Sequence, residues 1–217
     1  MRKILKIINC YKEKNPSINR VSKKVSIEEG QEIATKLFKI LNSRKDGIGL
    51  AAPQCNIDAR VAVVNVREPI ILINPEIVKQ WDEIDYYEGC LSFPKKPVHT
   101  KRYKYVIVKC DNYEEQLYLG PLELGNDSVG TWENGKSQDD LRLLESVCVQ
   151  HEVDHCFGQV IFDRESKVNP IRVKKKWRRN ELVSITDGKE IKEIKYKKAK
   201  SLIDSGDWEI YTGSPIT

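Results

Sequence analysis

The 217-residue sequence predicts an α+β fold, with antiparallel or mixed sheets packed around one central helix. Three patterns carry this expectation. An early stretch places its apolar residues at helical spacing behind a capping box. Several short β-branched runs follow, bounded by Pro or Asn. A later helical stretch then carries His-Glu-Val-Asp-His on its apolar stripe.

In chain order, Ser26-Ile27-Glu28-Glu29 has the acid three residues after the serine, and Ile33, Leu37, Phe38 and Leu41 keep helical spacing behind it. A helix is therefore expected over about 27–42, and Asp46-Gly47 breaks it. Val61 to Val66 and Ile70 to Ile73 read as strands, as does Tyr105 to Val108. Asp111-Asn112 supplies a turn, with Gln116 to Leu119 as the hairpin partner. From about 120 to 137 the sequence loses periodicity, which reads as a long loop or insertion. The second helix starts between Ser137 and Asp140, carries Leu141, Leu144, Cys148, His151 and His155 at steps of three and four, and stops at Gly158. Beyond Asp163 the composition changes. Thr186-Asp187-Gly188-Lys189 reads as a hairpin turn between Leu182–Ile185 and Glu190–Tyr196, followed by a short helix over 198–205 and a strand from Trp208 to Tyr211. The expected organisation is a first domain over 1–165, with an insertion at about 112–138, and a basic, β-rich C-terminal extension over 166–217.

The composition, 40% hydrophobic and 32% charged, is that of a water-soluble globular chain. No apolar run approaches the roughly 20 residues a membrane-spanning helix needs. The first ten residues lack a signal-peptide pattern, and early Glu13, Glu28 and Glu29 argue against an organellar presequence, so the cytoplasm is the expected location. Six cysteines without regular spacing read as reduced thiols. The net charge of +5 is uneven: residues 166–217 carry 13 Lys and Arg against 7 Asp and Glu, whereas residues 1–165 carry 24 against 25. Lys174-Lys175-Lys176-Trp177-Arg178-Arg179 is the densest patch. It reads first as a solvated tail and second as a surface for RNA or the ribosome.

The chemistry centres on residues 151–155. Histidines at i and i+4 share a helix face and can bind one divalent metal, with Glu152 placed to take a proton from water. A catalytic site of this kind takes a third protein ligand. No histidine follows His155, and Glu165 and Glu181, the acidic candidates of a peptidase-like alternative, stand in no convincing helix. Upstream, Cys90 lies in Tyr87-Glu88-Gly89-Cys90-Leu91-Ser92-Phe93-Pro94. A further segment, Gly47-Ile48-Gly49-Leu50-Ala51-Ala52-Pro53-Gln54, has small residues that permit close backbone approach and an amide suited to a developing oxyanion.

Gly-Ile-Gly-Leu-Ala-Ala-Pro-Gln, Glu-Gly-Cys-Leu-Ser and Gln-His-Glu-Val-Asp-His, in this order over residues of about 27 to 163, closely resemble the three signature motifs of peptide deformylases. The resemblance implies a peptide deformylase-like fold and removal of the N-formyl group from N-formylmethionyl peptides. It implies one divalent ion per chain on Cys90, His151 and His155, natively Fe²⁺ and replaceable by Zn²⁺, Ni²⁺ or Co²⁺. Glu152 would be the general base and then acid, and Gln54 and the Leu91 N–H the oxyanion donors. Gly49 and Gly89 would hold the peptide backbone, and Ile48, Tyr86, Leu144, Val147 and Cys148 would surround the methionine side chain. The chain departs from the family pattern in its opening 25 residues, the segment between Asp111 and Asp139, and the tail after about 165. Arg102 is expected to pair with Glu88 or Asp154, and His99 is expected at the surface.

Overall fold

The computed structural model describes residues 5–44, 46–122, 132–133, 136–166, 179–187, 190–205 and 208–210. Contacts divide the chain into two compact units, Met1–Val168 and Asn169–Thr217.

In the first unit, helix α1 spans Ile27–Asn42, and its first turn is closed by the Ser26 hydroxyl accepting from the Glu29 N–H at 3.2 Å. Strands β1 (Gly49–Ala51), β2 (Val61–Asn65) and β3 (Pro69–Ile73) form one antiparallel sheet in that order. A short 3-10 turn, Ala52–Cys55, leaves β1 and ends at Asn56, whose φ of 59° turns the chain back. Strands β4 (Glu76–Cys90), β5 (Phe93–Lys109) and β6 (Leu117–Leu119) form a second antiparallel sheet. A two-residue pair, β7 (Trp132–Glu133) with β8 (Lys136–Ser137), precedes helix α2, Gln138–Cys156. Every strand pairing among the described residues is antiparallel.

The layering follows from β2. Its Val-Ala-Val-Val run is buried on both faces, as a continuous apolar strand requires. Val61 and Val63 face Ile33, Leu37 and Leu41 of α1. Ala62 and Val64 join Val149, Val153 and Cys156 of α2, and the far side of that core is supplied by Val106, Val108 and Leu119. Helix α2 thus runs between the two sheets and is buried on every side from Glu145 to Cys156. It stops where Gly158 takes φ +74°; a Cβ there would also lie 2.6 Å from the Arg20 backbone.

The structure departs from the sequence expectation chiefly in the second sheet. Tyr105 to Val108 is the end of a 17-residue strand, and its 15-residue partner β4 carries no legible strand pattern. Burial alternates only from Ile84 to Cys90, and the stretch from Glu76 to Glu83 is largely exposed, so no strand-length apolar alternation shows. Of the expected 112–138 insertion, residues 123–131, 134 and 135 lie outside the described residues.

In the second unit, β9 (Leu182–Thr186) lies between β10 (Ile191–Lys195) and β11 (Glu209–Ile210), with helix α3 over Tyr196–Asp204. Val183, Ile185 and Ala199 form its small core. The turn residues Gly188 and Lys189, Tyr211, and all of the Lys174–Arg179 patch except Arg179 lie outside the described residues.

Leu37 is fully buried between α1 and the first sheet. Leu37→Ala should cost about 2–5 kcal/mol of stability through lost burial and a residual cavity, read as a lowered urea midpoint at unchanged m-value; an unshifted midpoint would show that this layer does not carry the fold.

Candidate metal centre and active site

A residue pattern that buries a helix on all sides must also satisfy that helix's polar side chains, and the second sheet does so here. Cys90 ends β4, and His151 and His155 stand one turn apart on α2. All three are buried, and their ligating atoms lie within 4.8 Å of one another. Cys90 Sγ is 3.3 Å from His155 Nε2, which is 3.1 Å from His151 Nε2. Among the described residues this group contains neither Glu165 nor Glu181.

The outer nitrogens of both rings are engaged. His151 Nδ1 donates to Glu88 Oε2 at 3.0 Å, and His155 Nδ1 donates to the Gln159 carbonyl at 3.1 Å. This assigns the proton to Nδ1 in the neutral ring and leaves the Nε2 lone pairs facing each other and the sulfur. Such an arrangement is repulsive without a cation between the three atoms, and a thiolate with two imidazoles suits a divalent first-row metal. The residues present therefore fit the ion that the sequence implies.

The positions of the rings are fixed by a chain of charges, buried at Glu88, Arg102 and Asp154 and partly exposed at Arg164. Arg102, from β5, donates through Nε to Glu88 Oε1 at 2.8 Å and through one terminal nitrogen to Asp154 Oδ2 at 2.6 Å. Thr100 Oγ1 donates to the same Glu88 oxygen at 2.6 Å. Arg164 donates to both oxygens of Asp154, at 3.1 and 2.7 Å, and to Gln159 Oε1 at 2.6 Å. Arg102 thus pairs with both of the acids the sequence left as alternatives.

Electrostatics follow from these partners. Burial alone would raise the Glu88 carboxyl, but the His151 hydrogen bond, with the Arg102 guanidinium and the Thr100 hydroxyl, outweighs it and brings it down to about 2. Burial likewise opposes ionisation of Cys90, yet His155 and His151 draw the thiol well below its usual value, toward the thiolate that ligates metals. Burial dominates at Glu152, whose carboxyl is pushed up to about 7 against the pull of both histidines. Its Oε2 has no hydrogen-bond partner among the described residues. A buried carboxyl oxygen so left is unusual and points to a function beyond packing.

Above this floor lies a cavity of about 660 Å³. Of the residues that the sequence singled out, Ile48, Gly49, Gln54, Tyr86, Gly89, Cys90, Leu91, Leu144, Val147, Cys148, His151 and Glu152 line it, and His155 completes the ligand group beneath. Gln54 Oε1 accepts from the Ala51 N–H at 2.8 Å, which directs its Nε2 toward Cys90 Sγ, 3.6 Å away. Gly49 is a forced choice: a Cβ there would sit 2.5 Å from Glu152 Oε1 and 2.6 Å from Cys148 Sγ. Sequence reasoning missed Arg44, Asp46, Tyr87 and the run Phe93-Pro94-Lys95-Lys96-Pro97, all on the cavity wall or rim. The Pro-Lys-Lys-Pro interruption directly after the cysteine segment was the available signal. His99 is half-buried rather than on the surface, its ring 4.9 Å from that of Tyr87.

Comparison with known proteins places this geometry. The family model for polypeptide deformylase matches residues 5–170. The peptide deformylase of Buchnera aphidicola subsp. Acyrthosiphon pisum (strain Tuc7) is 32% identical over 157 residues, 68% of this chain and 80% of that protein. That of Hamiltonella defensa subsp. Acyrthosiphon pisum (strain 5AT) is 31% identical over 177 residues, 80% of this chain and 91% of that one. Among solved structures, peptide deformylase from Thermotoga maritima matches with a TM-score of 0.57 at 28% identity, covering 76% of this chain and 99% of that chain. A Plasmodium falciparum peptide deformylase matches with a TM-score of 0.58 at 28% identity, covering 79% and 92%. With its three motifs brought together on one cavity and three quarters of its length aligned, the chain belongs to the polypeptide deformylase family.

Proposed function

We propose that the chain hydrolyses the N-formyl group of N-formylmethionyl peptides, releasing formate, at a divalent ion held by Cys90, His151 and His155. The observation that supports this most is the convergence of one sulfur and two Nε2 atoms beside a buried carboxyl with an unengaged oxygen. Such an ion, when bound, supplies Lewis acidity, lowering the pKa of the attacking water and polarising the formyl carbonyl.

The chain's own residues do the rest. Glu152 takes the proton from water, and its raised pKa suits it to hold that proton near neutral pH. It then delivers the proton to the leaving amine nitrogen. Gln54, through Nε2, and Leu91, through its backbone N–H, donate to the formyl oxygen as negative charge develops there. The backbones of Gly49 and Gly89 hold the peptide in extended form. Ile48, Tyr86, Leu144, Val147 and Cys148 enclose the methionine side chain, whose unbranched thioether adapts well to such a wall.

Fe²⁺ is the native ion in this reading, with Zn²⁺, Ni²⁺ and Co²⁺ as substitutes, since thiolate and imidazole donors accept all four. Residues 1–165 would be the catalytic domain and 166–217 its basic extension, acting in the cytoplasm; no helix among the described residues is long and apolar enough to cross a membrane. A ribosome- or RNA-facing role for the extension rests on its charge alone.

The reading is tested by formate release from formyl-Met-Ala-Ser by protein purified anaerobically with Fe²⁺; no release would overturn it. Glu152→Gln should keep metal and fold and lose roughly 10²–10⁴ in kcat, and turnover like that of the parent protein would refute the proton-transfer role. Cys90→Ala should bring bound metal far below one ion per chain, as read by elemental analysis; retained stoichiometric metal would refute ligation. Gly49→Ala should displace Glu152 or Cys148 and lower kcat/KM by about 10²-fold, the size expected of a misplacement near 1 Å, with metal content unchanged; undiminished activity would show that the close approach is not needed.

A further inference from the structure

One part of the cavity has no share in the chemistry. The β4–β5 ladder pairs Glu88 with Val98 and Cys90 with Phe93. A single residue on β4, Gly89, therefore faces a bulge of four on β5, Pro94-Lys95-Lys96-Pro97. All four bulge residues are exposed and line the cavity. Prolines at both ends stiffen the bulge. Lys95 takes φ +67°, a left-handed backbone that a lysine adopts only under constraint. Lys96 Nζ lies 5.1 Å over the Tyr11 ring, which in turn packs edge-on against Phe93 at 5.6 Å. A cation–π contact of this kind holds the ammonium in place and leaves its charge uncompensated.

The charge balance around the cavity is equally specific. Its acids are Asp46, Glu88 and Glu152. Asp46 is taken by a two-pronged pairing with Arg44 at 2.9 Å, Glu88 by Arg102 and His151, and Glu152 lies on the floor. Among the described residues no acid pairs with Lys95 or Lys96. The rim beside Gly89 therefore carries two positive charges without a counterpart.

We propose that Lys95 and Lys96 form a specificity subsite for an acidic side chain at the position directly after the methionine of the formylated substrate. The proposal rests on the deformylase reading of the floor. An extended peptide alternates its side chains, so with the methionine directed to Tyr86, Leu144 and Val147 the next side chain points to the mouth. A carboxylate there gains two exposed ion pairs, and a lysine or arginine meets two like charges.

The test uses the metal-loaded full chain with formyl-Met-Glu-Ala-Ser and formyl-Met-Lys-Ala-Ser, each kcat/KM divided by that for formyl-Met-Ala-Ala-Ser on the same protein. At low ionic strength the acidic peptide should exceed the basic one by about 3–10-fold, the size expected of two exposed pairs. The difference should lie in KM, because the rim is touched equally before and during reaction. The ratio should fall toward 1 at about 0.5 M salt, where screening is nearly complete, and this measurement needs no variant. In Lys95→Glu/Lys96→Glu it should invert. Equal rates at low salt, or a ratio the double substitution does not move, would overturn the subsite. No turnover of formyl-Met-Ala-Ala-Ser by the parent protein would overturn the deformylase reading and the subsite with it, a result distinct from equal rates.

Discussion

The run of hydrogen bonds from His151 through Glu88, Arg102, Asp154 and Arg164 to Gln159, and from the Gln159 carbonyl back to His155, buried at its Arg102–Asp154 centre and partly exposed at Arg164, is what lets α2 lie between two sheets. A helix buried on all sides and carrying acids and imidazoles would be disfavoured if those groups were left without partners. Each side chain in the run answers another, and the run begins and ends on the two candidate ligands. The same bonds that make burial tolerable also fix both imidazoles in one tautomer and one orientation. Glu152 is the exception: its Oε2 lies buried with no partner among the described residues, and the cost of that is borne where the proposed chemistry needs a proton acceptor.

This arrangement explains which parts of the molecule could be read in advance. Helix α1 is exposed on one face and packed on the other, so its apolar spacing and its Ser26 cap are both visible, and its bounds emerge as expected. Strand β2 is buried on both faces and shows as an unbroken apolar run. Strand β4 is neither: its long exposed stretch pairs with β5 through the backbone, and backbone pairing leaves no mark on side-chain type. Helix α2 was legible as the central helix, but the partners of its polar side chains were not: Arg67 lies 3.6 Å from Glu145 and the Tyr103 backbone engages Gln150 in both directions.

The candidate site divides in the same way. The candidate ligands His151 and His155 and the candidate base Glu152 were visible because metal chemistry restricts residue type and spacing, whereas Cys90 came from the resemblance of its segment. The opening segment, which had no assignable path, braces the site instead. The Ile8 N–H donates to the Gln54 carbonyl, Asn15 to the Pro53 carbonyl, and the Cys10 N–H to the Ser92 carbonyl. These bonds hold the 3-10 turn carrying Gln54 and the turn after Cys90 from the same side. All three run to main-chain carbonyls, which any residue offers, so no side-chain pattern announces them.

Floor and rim also differ in what constrains them. A change at Glu88, Arg102 or Asp154 leaves a buried charge without its partner, so the floor resists substitution for reasons of stability as well as chemistry. The Pro94–Pro97 bulge lies outside the β4–β5 ladder and is solvated, and only its prolines and the Tyr11 contact shape it. Its lysines can be exchanged without unpairing a strand or uncovering the core. A fold built this way keeps the reacting centre rigid while the edge that meets the rest of the peptide is set by exposed side chains, and the charge on that edge belongs to this chain rather than to the chemistry beneath it.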